Sequence, residues 1–476
     1  MYAQSVSEDA SIKGEDTRAM ANFKEYLGTK DFYKRMAVIA VPIALQSMIT
    51  IGVNMMDTIM VGTLGEVAIS ATALANQFIT IYHIACMGIG MGASVLVSRY
   101  YGMKDMVSLK KAITIMLRLC IGFGLLFMVL SILIPGGIIR MYTPDPDVIR
   151  EGTKYLQWSV PTFLLLGTLL DVTLVLRSIG KAKIPMICSI VGFFSNVFFN
   201  WVFIFGHLGA PRMEVAGAAL GTLIARFIEC SIVLTYFFFK QKEVRYRIRD
   251  IFSKCSDLVS EYLKISIPVL ISDSLMAFGN TAVAMIMGRI GSSFVSANSI
   301  TTVTQQLTTV LTQGISQASC IMTVHTLGAG DVEKAQKEGY SFTFAGAALG
   351  IISALVVLLI REPVIGMYNI TEETIGIARQ LMNAIALILV FQSTNNILTK
   401  GVLRGGGDTR FLMLGDVLFL WIASVPLGIL AGLYLHLPAF WIYFFMKIDQ
   451  VLKCVWCFFR LKSGKWIKSI SGVRND

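Results

Sequence analysis

Apolar stretches long enough to cross a bilayer recur along the whole chain, and no other feature limits the possible folds so strongly. A transmembrane helix needs about 20 mostly apolar residues. Such runs fall at residues 36–61, 67–98, 112–135, 155–176, 185–205, 215–239, 262–287, 293–326, 340–360, 375–403, 411–434 and 438–460. They are continuous and rich in Leu, Met, Ala and Gly, whereas barrel strands are short and alternate in polarity. The pattern predicts an all-α polytopic membrane protein with twelve transmembrane helices. Composition agrees: 55% of the 476 residues are hydrophobic and 15% charged, against about 25% charged in soluble domains. Surface-to-volume scaling leaves a soluble chain no way to hide so much apolar surface.

The formal net charge of +11 is a matter of topology. Basic residues gather after every second run: Arg99, Lys104, Lys110 and Lys111; Arg177, Lys181 and Lys183; the cluster from Lys240 to Lys254; Lys334 and Lys337; Arg404 and Arg410; and Arg460 to Lys468. The intervening loops are poorer in Lys and Arg and include Glu66, Asp145, Asp147, Glu372 and Glu373. By the positive-inside rule this alternation places both termini in the cytoplasm of a multi-pass plasma (inner) membrane protein. Membrane lipids are expected partners of such a chain, and nucleic acid is not expected. Residues 1–30 are polar and hold no short apolar core, so no cleavable signal is expected.

The chain also repeats itself. VPIALQSMITIGVNMMDTIMVGTLG from residue 41 aligns with IPVLISDSLMAFGNTAVAMIMGRIG from residue 267. One ungapped offset of 226 pairs Pro42 with Pro268, Gly62 with Gly288, Gly65 with Gly291, Gly88 with Gly314, Gly102 with Gly328 and Asp105 with Asp331. After one inserted residue, LRSIGKAKIPM (176–186) aligns with LRGGGDTRFLM (403–413). Six helices per copy is an even number, so both copies start from the same side, as in parallel-repeat transporters. The expected organisation is a cytoplasmic tail at 1–35, a six-helix lobe at 36–240, a basic linker at 241–261, a second lobe at 262–462 and a tail at 463–476. The matched prolines fall within the first two turns of each lobe's first span. Pro42 there is either a helix-start proline or a hinge. The Gly-rich MGIGMGAS (87–94) suits close helix packing.

Charged groups inside a membrane cost on the order of 2.5–3.5 kcal/mol on insertion scales. The candidates are Asp57, Asp171, Glu229, Asp273, Asp416 and Asp449. Glu229 follows Arg226 by three residues and can pair with it on one helix face, and Asp449 lies two after Lys447. Asp57, in NMMDTIMVG, has no basic residue within two turns and is expected to face a wet cavity, where it can hold a proton, Na⁺ or a cationic cargo. Asn196 and Asn200 are spaced i, i+4 on one face of the fifth span. Their oxygens are either hard-cation ligands beside Asp57 or partners in interhelical hydrogen bonds.

The eight cysteines show no framework. The CxxC at Cys454 and Cys457 lies inside an apolar run, and no structural metal is expected there. Four histidines, no HExxH and no nucleophile elbow give no sign of an enzyme.

Over residues 30–465 the chain resembles the multidrug and toxic compound extrusion (MATE) transporters. The resemblance lies in P…DTIMVGTLG (Pro42, Asp57, Gly62, Gly65) and its repeat, in LRGGGDTRFLM, in VAGAALGT (215–222) and in the closing FFRLKSGKW. It implies a secondary antiporter, with no cofactor, that expels amphipathic, often cationic compounds in exchange for Na⁺ or H⁺. It also implies that Asp57 is central to coupling and that Asn196, Asn200 and Thr222 complete the site, with possible Na⁺ at Asp57, Asn196 and Asn200. Some relatives carry a carboxylate at the position of Asn200, so its absence leaves the ion open. Others have an acid deeper in the seventh span, where this chain has Met276 and Phe278. Asp171 joins the first-lobe candidates, and Asp273, Asn395, Asn396 and Asp416 are second-lobe candidates by polarity alone. The chain is expected to act as a monomer. The rival within the same superfamily, a flippase for lipid-linked sugars or peptidoglycan precursors, calls for a cavity lined with basic groups.

Overall fold

The computed structural model describes residues 28–468 apart from Asn369, and every regular element among them is helical. The expected tails at 1–35 and 463–476 fall outside the described residues except for 28–35 and 463–468. The first eight helices are α1 (Lys30–Gly62), α2 (Glu66–Gly102), α3 (Met106–Leu133), α4 (Pro135–Arg140), α5 (Pro146–Trp158), α6 (Thr162–Ser178), α7 (Lys183–Phe205) and α8 (Glu214–Thr235). There follow α9 (Ser256–Ile290), α10 (Ser292–Gly328), α11 (Val332–Gly366), α12 (Glu372–Ile397), α13 (Thr409–Leu418), α14 (Val425–Ile429), α15 (Ala439–Met446) and α16 (Ile448–Lys462). Wider π turns at Tyr236–Lys240, Leu398–Leu403, Phe419–Ser424 and Leu430–Tyr434 prolong α8, α12, α13 and α14.

Nine helical stretches among the described residues are long and apolar enough to cross a membrane, and the pair α5–α6, bent by 56°, makes a tenth. Pro161 sits at that break, where the missing amide cannot continue the helix. The other two expected spans differ in kind. The run at 293–326 is α10, unbroken but rich in Ser, Thr and Gln. The run at 438–460 breaks at Lys447 into α15 and α16.

The two copies of the repeat are punctuated alike. α2 and α10 are each 37 residues long. Both begin after a glycine of positive φ, Gly65 at 105° and Gly291 at 154°, a conformation that side chains resist. The paired acids are helix caps: Asp105 accepts from the amides of Val107 and Ser108, and Asp331 from that of Lys334. These caps satisfy amides that the first turn leaves bare.

Pro42 and Pro268 are buried, each twelve residues beyond the start of its helix (Lys30 to Pro42, Ser256 to Pro268). They are therefore not within the first two turns. The helices begin before the apolar runs do, which makes both prolines interior breaks in the hydrogen-bond ladder.

By packing, the chain divides into two compact units. One comprises Val41–Met285 with Thr409–Val425; the other comprises the residues up to Ala40, Ile286–Asp408 and those from Pro426 onward. In the first unit α2 is central, with an unbroken buried run from Gly88 to Ser98. A Cβ at Gly88 would stand 2.8 Å from Leu270, and one at Gly92 would strike Ser266. The glycines of MGIGMGAS thus admit α9 at close range, as expected of a packing motif. In the second unit Trp466 is fully buried and donates from Nε1 to Gln336 Oε1 at 2.7 Å.

The linker is fastened to the first unit. Lys110 pairs with Asp250 at 3.1 Å, Lys111 with Asp257 at 2.6 Å and Lys181 with Glu243 at 2.8 Å. Arg118 donates to the carbonyls of Ile251 and Ser253, and the buried Tyr246 hydroxyl meets Thr114 Oγ1 at 2.9 Å.

Candidate functional site

Two hydrogen bonds fix α1 against α7. Asn200 Nδ2 donates to Asp57 Oδ1 at 2.6 Å, and Gln46 Nε2 to Ser189 Oγ at 3.0 Å. Each pair is separated by 143 residues, so the two helices run in the same direction, in register, for three turns. α8 then packs closely on α7. A Cβ at Gly221 would meet Asn200 Oδ1 and come within 2.9 Å of its backbone nitrogen. A Cβ at Gly192 would occupy the place of the Glu229 carboxylate. Glycines at these positions let polar groups lie between helices that would otherwise be held apart.

The outcome is a ladder of polar pairs rising along α7. At one end Arg177 Nη2 donates to Gln46 Oε1 at 2.7 Å, and Gln46 passes its own amide hydrogen to Ser189. Arg177 offers only donors, so the Gln46 carbonyl must face it. Next come Arg226 and Glu229, paired at 2.7 Å. Above them Asn196 Nδ2 donates to Thr222 Oγ1 at 3.3 Å. At the far end stand Asp57 and Asn200. Asn196 and Asn200 are buried, and Asn200 Oδ1 has no hydrogen-bond partner. Asp57 takes part in no ion pair among the described residues.

Most of these groups border one cavity of about 500 Å³, within the range of small-molecule sites, whereas the buried Asn196 and Asn200 do not line it and stand behind Asp57 and Thr222, to which they are hydrogen-bonded. Asp57, Thr222, Arg177, Arg226, Glu229 and His83 all line it, with Asn76 and Tyr155. Asp57, Asn196, Asn200 and Thr222, expected to act together, are brought together. Asp171 is not brought to them. It is fully buried on α6, does not line the cavity, and neither carboxylate oxygen has a hydrogen-bond partner.

Asp416 on α13 accepts from Ser272 Oγ on α9, and Asp273 is half-buried on α9. Asn395 donates to Gln450 at 2.9 Å, and the Asn396 carbonyl accepts from Ser316 Oγ. Asp449 pairs with Lys453, four residues on, at 3.0 Å, and not with Lys447, which caps the break before α16. The expected Arg226–Glu229 pair is present.

Among the cavity residues that sequence reasoning missed are Arg177, Gln46 and His83. Arg177 counted there as a loop charge, and neither Gln46 nor His83 stood out at all. The only signal for Arg177 was its place in LRSIGKAKIPM, as the penultimate residue of α6. The cavity wall is of mixed charge, because Asp57 and Glu229 share it with Arg177 and Arg226.

A polytopic helical bundle with a charged cavity inside a membrane-spanning unit defines a membrane transporter. Two stretches, residues 42–202 and 268–430, match the family model MatE, and the chain belongs to that family. Among curated relatives it is 24% identical over 408 residues to "Multidrug resistance protein NorM" of Aliivibrio fischeri, covering 84% of this chain and 86% of that protein. It is also 24% identical over 452 residues to "Probable multidrug resistance protein NorM" of Thermotoga maritima, covering 94% and 96%. A solved outward-facing conformation of a multidrug resistance MATE family transporter matches its fold with a TM-score of 0.82. That match has 18% identity and covers 94% of this chain and 98% of that one.

Proposed function

We propose that the protein is a secondary multidrug antiporter that exports amphipathic organic compounds, cationic ones among them, in exchange for Na⁺ or H⁺. The observation that carries this reading is Asp57, a carboxylate on the wall of a drug-sized cavity with an amide as partner and no ion pair among the described residues. A charge maintained there at such cost is a functional group by default. Relatives named as multidrug resistance proteins support the direction and breadth of transport.

The ladder suggests how exchange works. Ionised Asp57 accepts from Asn200 and leaves the Asn200 oxygen without a donor. Na⁺ could be held by Asp57 with the Asn196 and Asn200 oxygens, since hard cations take oxygen ligands. A proton on one Asp57 oxygen makes that oxygen a donor, while the other still accepts from the Asn200 amide. Either ion removes the negative charge that attracts a cationic cargo, so ion and cargo exclude each other through differential affinity. The flippase reading gains little: Arg226 is neutralised by Glu229, and the basic lining that a diphosphate requires is not assembled among the described residues.

The test is ethidium efflux from proteoliposomes under an imposed Na⁺ gradient and, separately, a pH gradient. One gradient should drive efflux, and Asp57→Asn should abolish the driven component while inserting normally. Undiminished driven efflux by that variant refutes the assignment.

A further inference from the structure

Among the described residues two cavity charges, Asp57 and Arg177, have no ion-pair partner. Arg226 has Glu229 at 2.7 Å. Asp57 is the partner that the proposed ion or cationic cargo would take. Among the described residues Arg177 makes a single side-chain hydrogen bond, to the neutral Gln46, and its buried Nε has no partner. The bland explanation is an arginine near a helix end that reaches out to the membrane surface. Its geometry argues against that: the guanidinium is turned onto Gln46 of α1, the Nε is shut off from solvent, and the residue borders the cavity. Guanidinium groups with free donors are suited to bind planar carboxylates through paired hydrogen bonds.

The ladder also supplies a spacing. Gln46 and Asp57 are eleven residues apart on α1, or about 16 Å at 1.5 Å per residue. Ser189 and Asn200 repeat that interval on α7. With roughly 3 Å for the contact at each end, an elongated molecule of ordinary drug size fits between the two poles.

We propose that Arg177 is a carboxylate-recognising pole of the transport cavity, so that the preferred cargo is zwitterionic, with its cationic end toward Asp57 and its anionic end on Arg177. This rests on the antiporter reading for the identity of the cavity, but its test is separate because it reads binding and needs no gradient. The probes are rhodamine 110, which carries a free carboxylate, and its methyl ester rhodamine 123, titrated against purified protein by fluorescence polarisation.

Wild type should bind the acid more tightly than the ester, a comparison that depends on no variant. Arg177→Gln should lower the acid-to-ester affinity ratio about tenfold, and Arg177→Lys, which keeps the charge but loses the planar fork, should lower it by less. A wild-type preference for the ester, or a ratio within twofold of wild type in Arg177→Gln, overturns the proposal. Dye binding that is normal while neither gradient drives transport would instead count against the antiporter reading alone.

Discussion

The two copies of the repeat make the same helix contact and then diverge. In the first, Gln46 on α1 meets Ser189 on α7, 143 residues later. In the second, Ser272 on α9 meets Asp416 on α13, 144 residues later. These are matching positions, Gln46 with Ser272 at an offset of 226 and Ser189 with Asp416 at 227. Three turns further on, the likeness ends. Asp57 and Asn200 face each other in the first copy, while the counterpart of Asp57 is the buried Val283. The backbone frame persists where the chemistry does not. Helix pairing depends on backbone proximity and small residues, and a charged group must be supported separately by every neighbour around it.

That contrast can be broken at its support first. Gly221→Leu should have the largest effect, because the new side chain would push α8 off α7 at Asn200. Overpacking of this kind costs about 1–3 kcal/mol or more. Folded yield and dye transport should both collapse, with size-exclusion profile and vesicle efflux as the readouts. Val283→Asp comes next. It places an acid at the apolar counterpart, at a cost on the order of 2.5–3.5 kcal/mol on insertion scales. A melting point several degrees lower is expected, and no recovery of driven efflux when combined with Asp57→Asn. Recovery would show that either copy can host the site.

Asp416→Asn should be milder, since an amide oxygen can still accept from Ser272. Driven efflux within about threefold of wild type is expected from a change that keeps one neutral hydrogen bond. A loss matching that of Asp57→Asn would place coupling chemistry in the second copy as well. The smallest effect concerns the linker. The Lys181 ammonium and the Tyr101 hydroxyl hold the Glu243 carboxyl below its ordinary range. Its contribution is therefore present above the unfolded carboxyl value of about 4.3 and fades as pH falls through the lower folded value. Protease cleavage within 243–255 should rise at acid pH in wild type, and Glu243→Gln should show that faster cleavage already at neutral pH.

Much of this was legible in the chain. The apolar runs gave the helices, and the offset of 226 located matched caps and glycines because turns and helix starts demand particular residues at fixed places. The Asp57 cluster was legible in part: an i, i+4 pair of amides must share a face, while the family resemblance was needed to bring that face to Asp57 and Thr222. What could not be read were contacts between residues far apart in the chain. Arg177 looks like a loop charge until Gln46, 131 residues away, is seen to draw it inward. Asp449 chose Lys453 over Lys447 because the helix breaks at Lys447, a break that an unbroken apolar run conceals.

The fastening of the linker has a consequence for the order of assembly. Asp250 and Glu243, and the Tyr246 hydroxyl, find their partners at Lys110, Lys181 and Thr114, all made earlier by the ribosome. The clasp can therefore close while the second copy is still being synthesised, in keeping with the vectorial folding of large chains. A nascent chain halted far enough past residue 257 for this segment to have cleared the ribosome should already protect it from protease, before the second copy is complete.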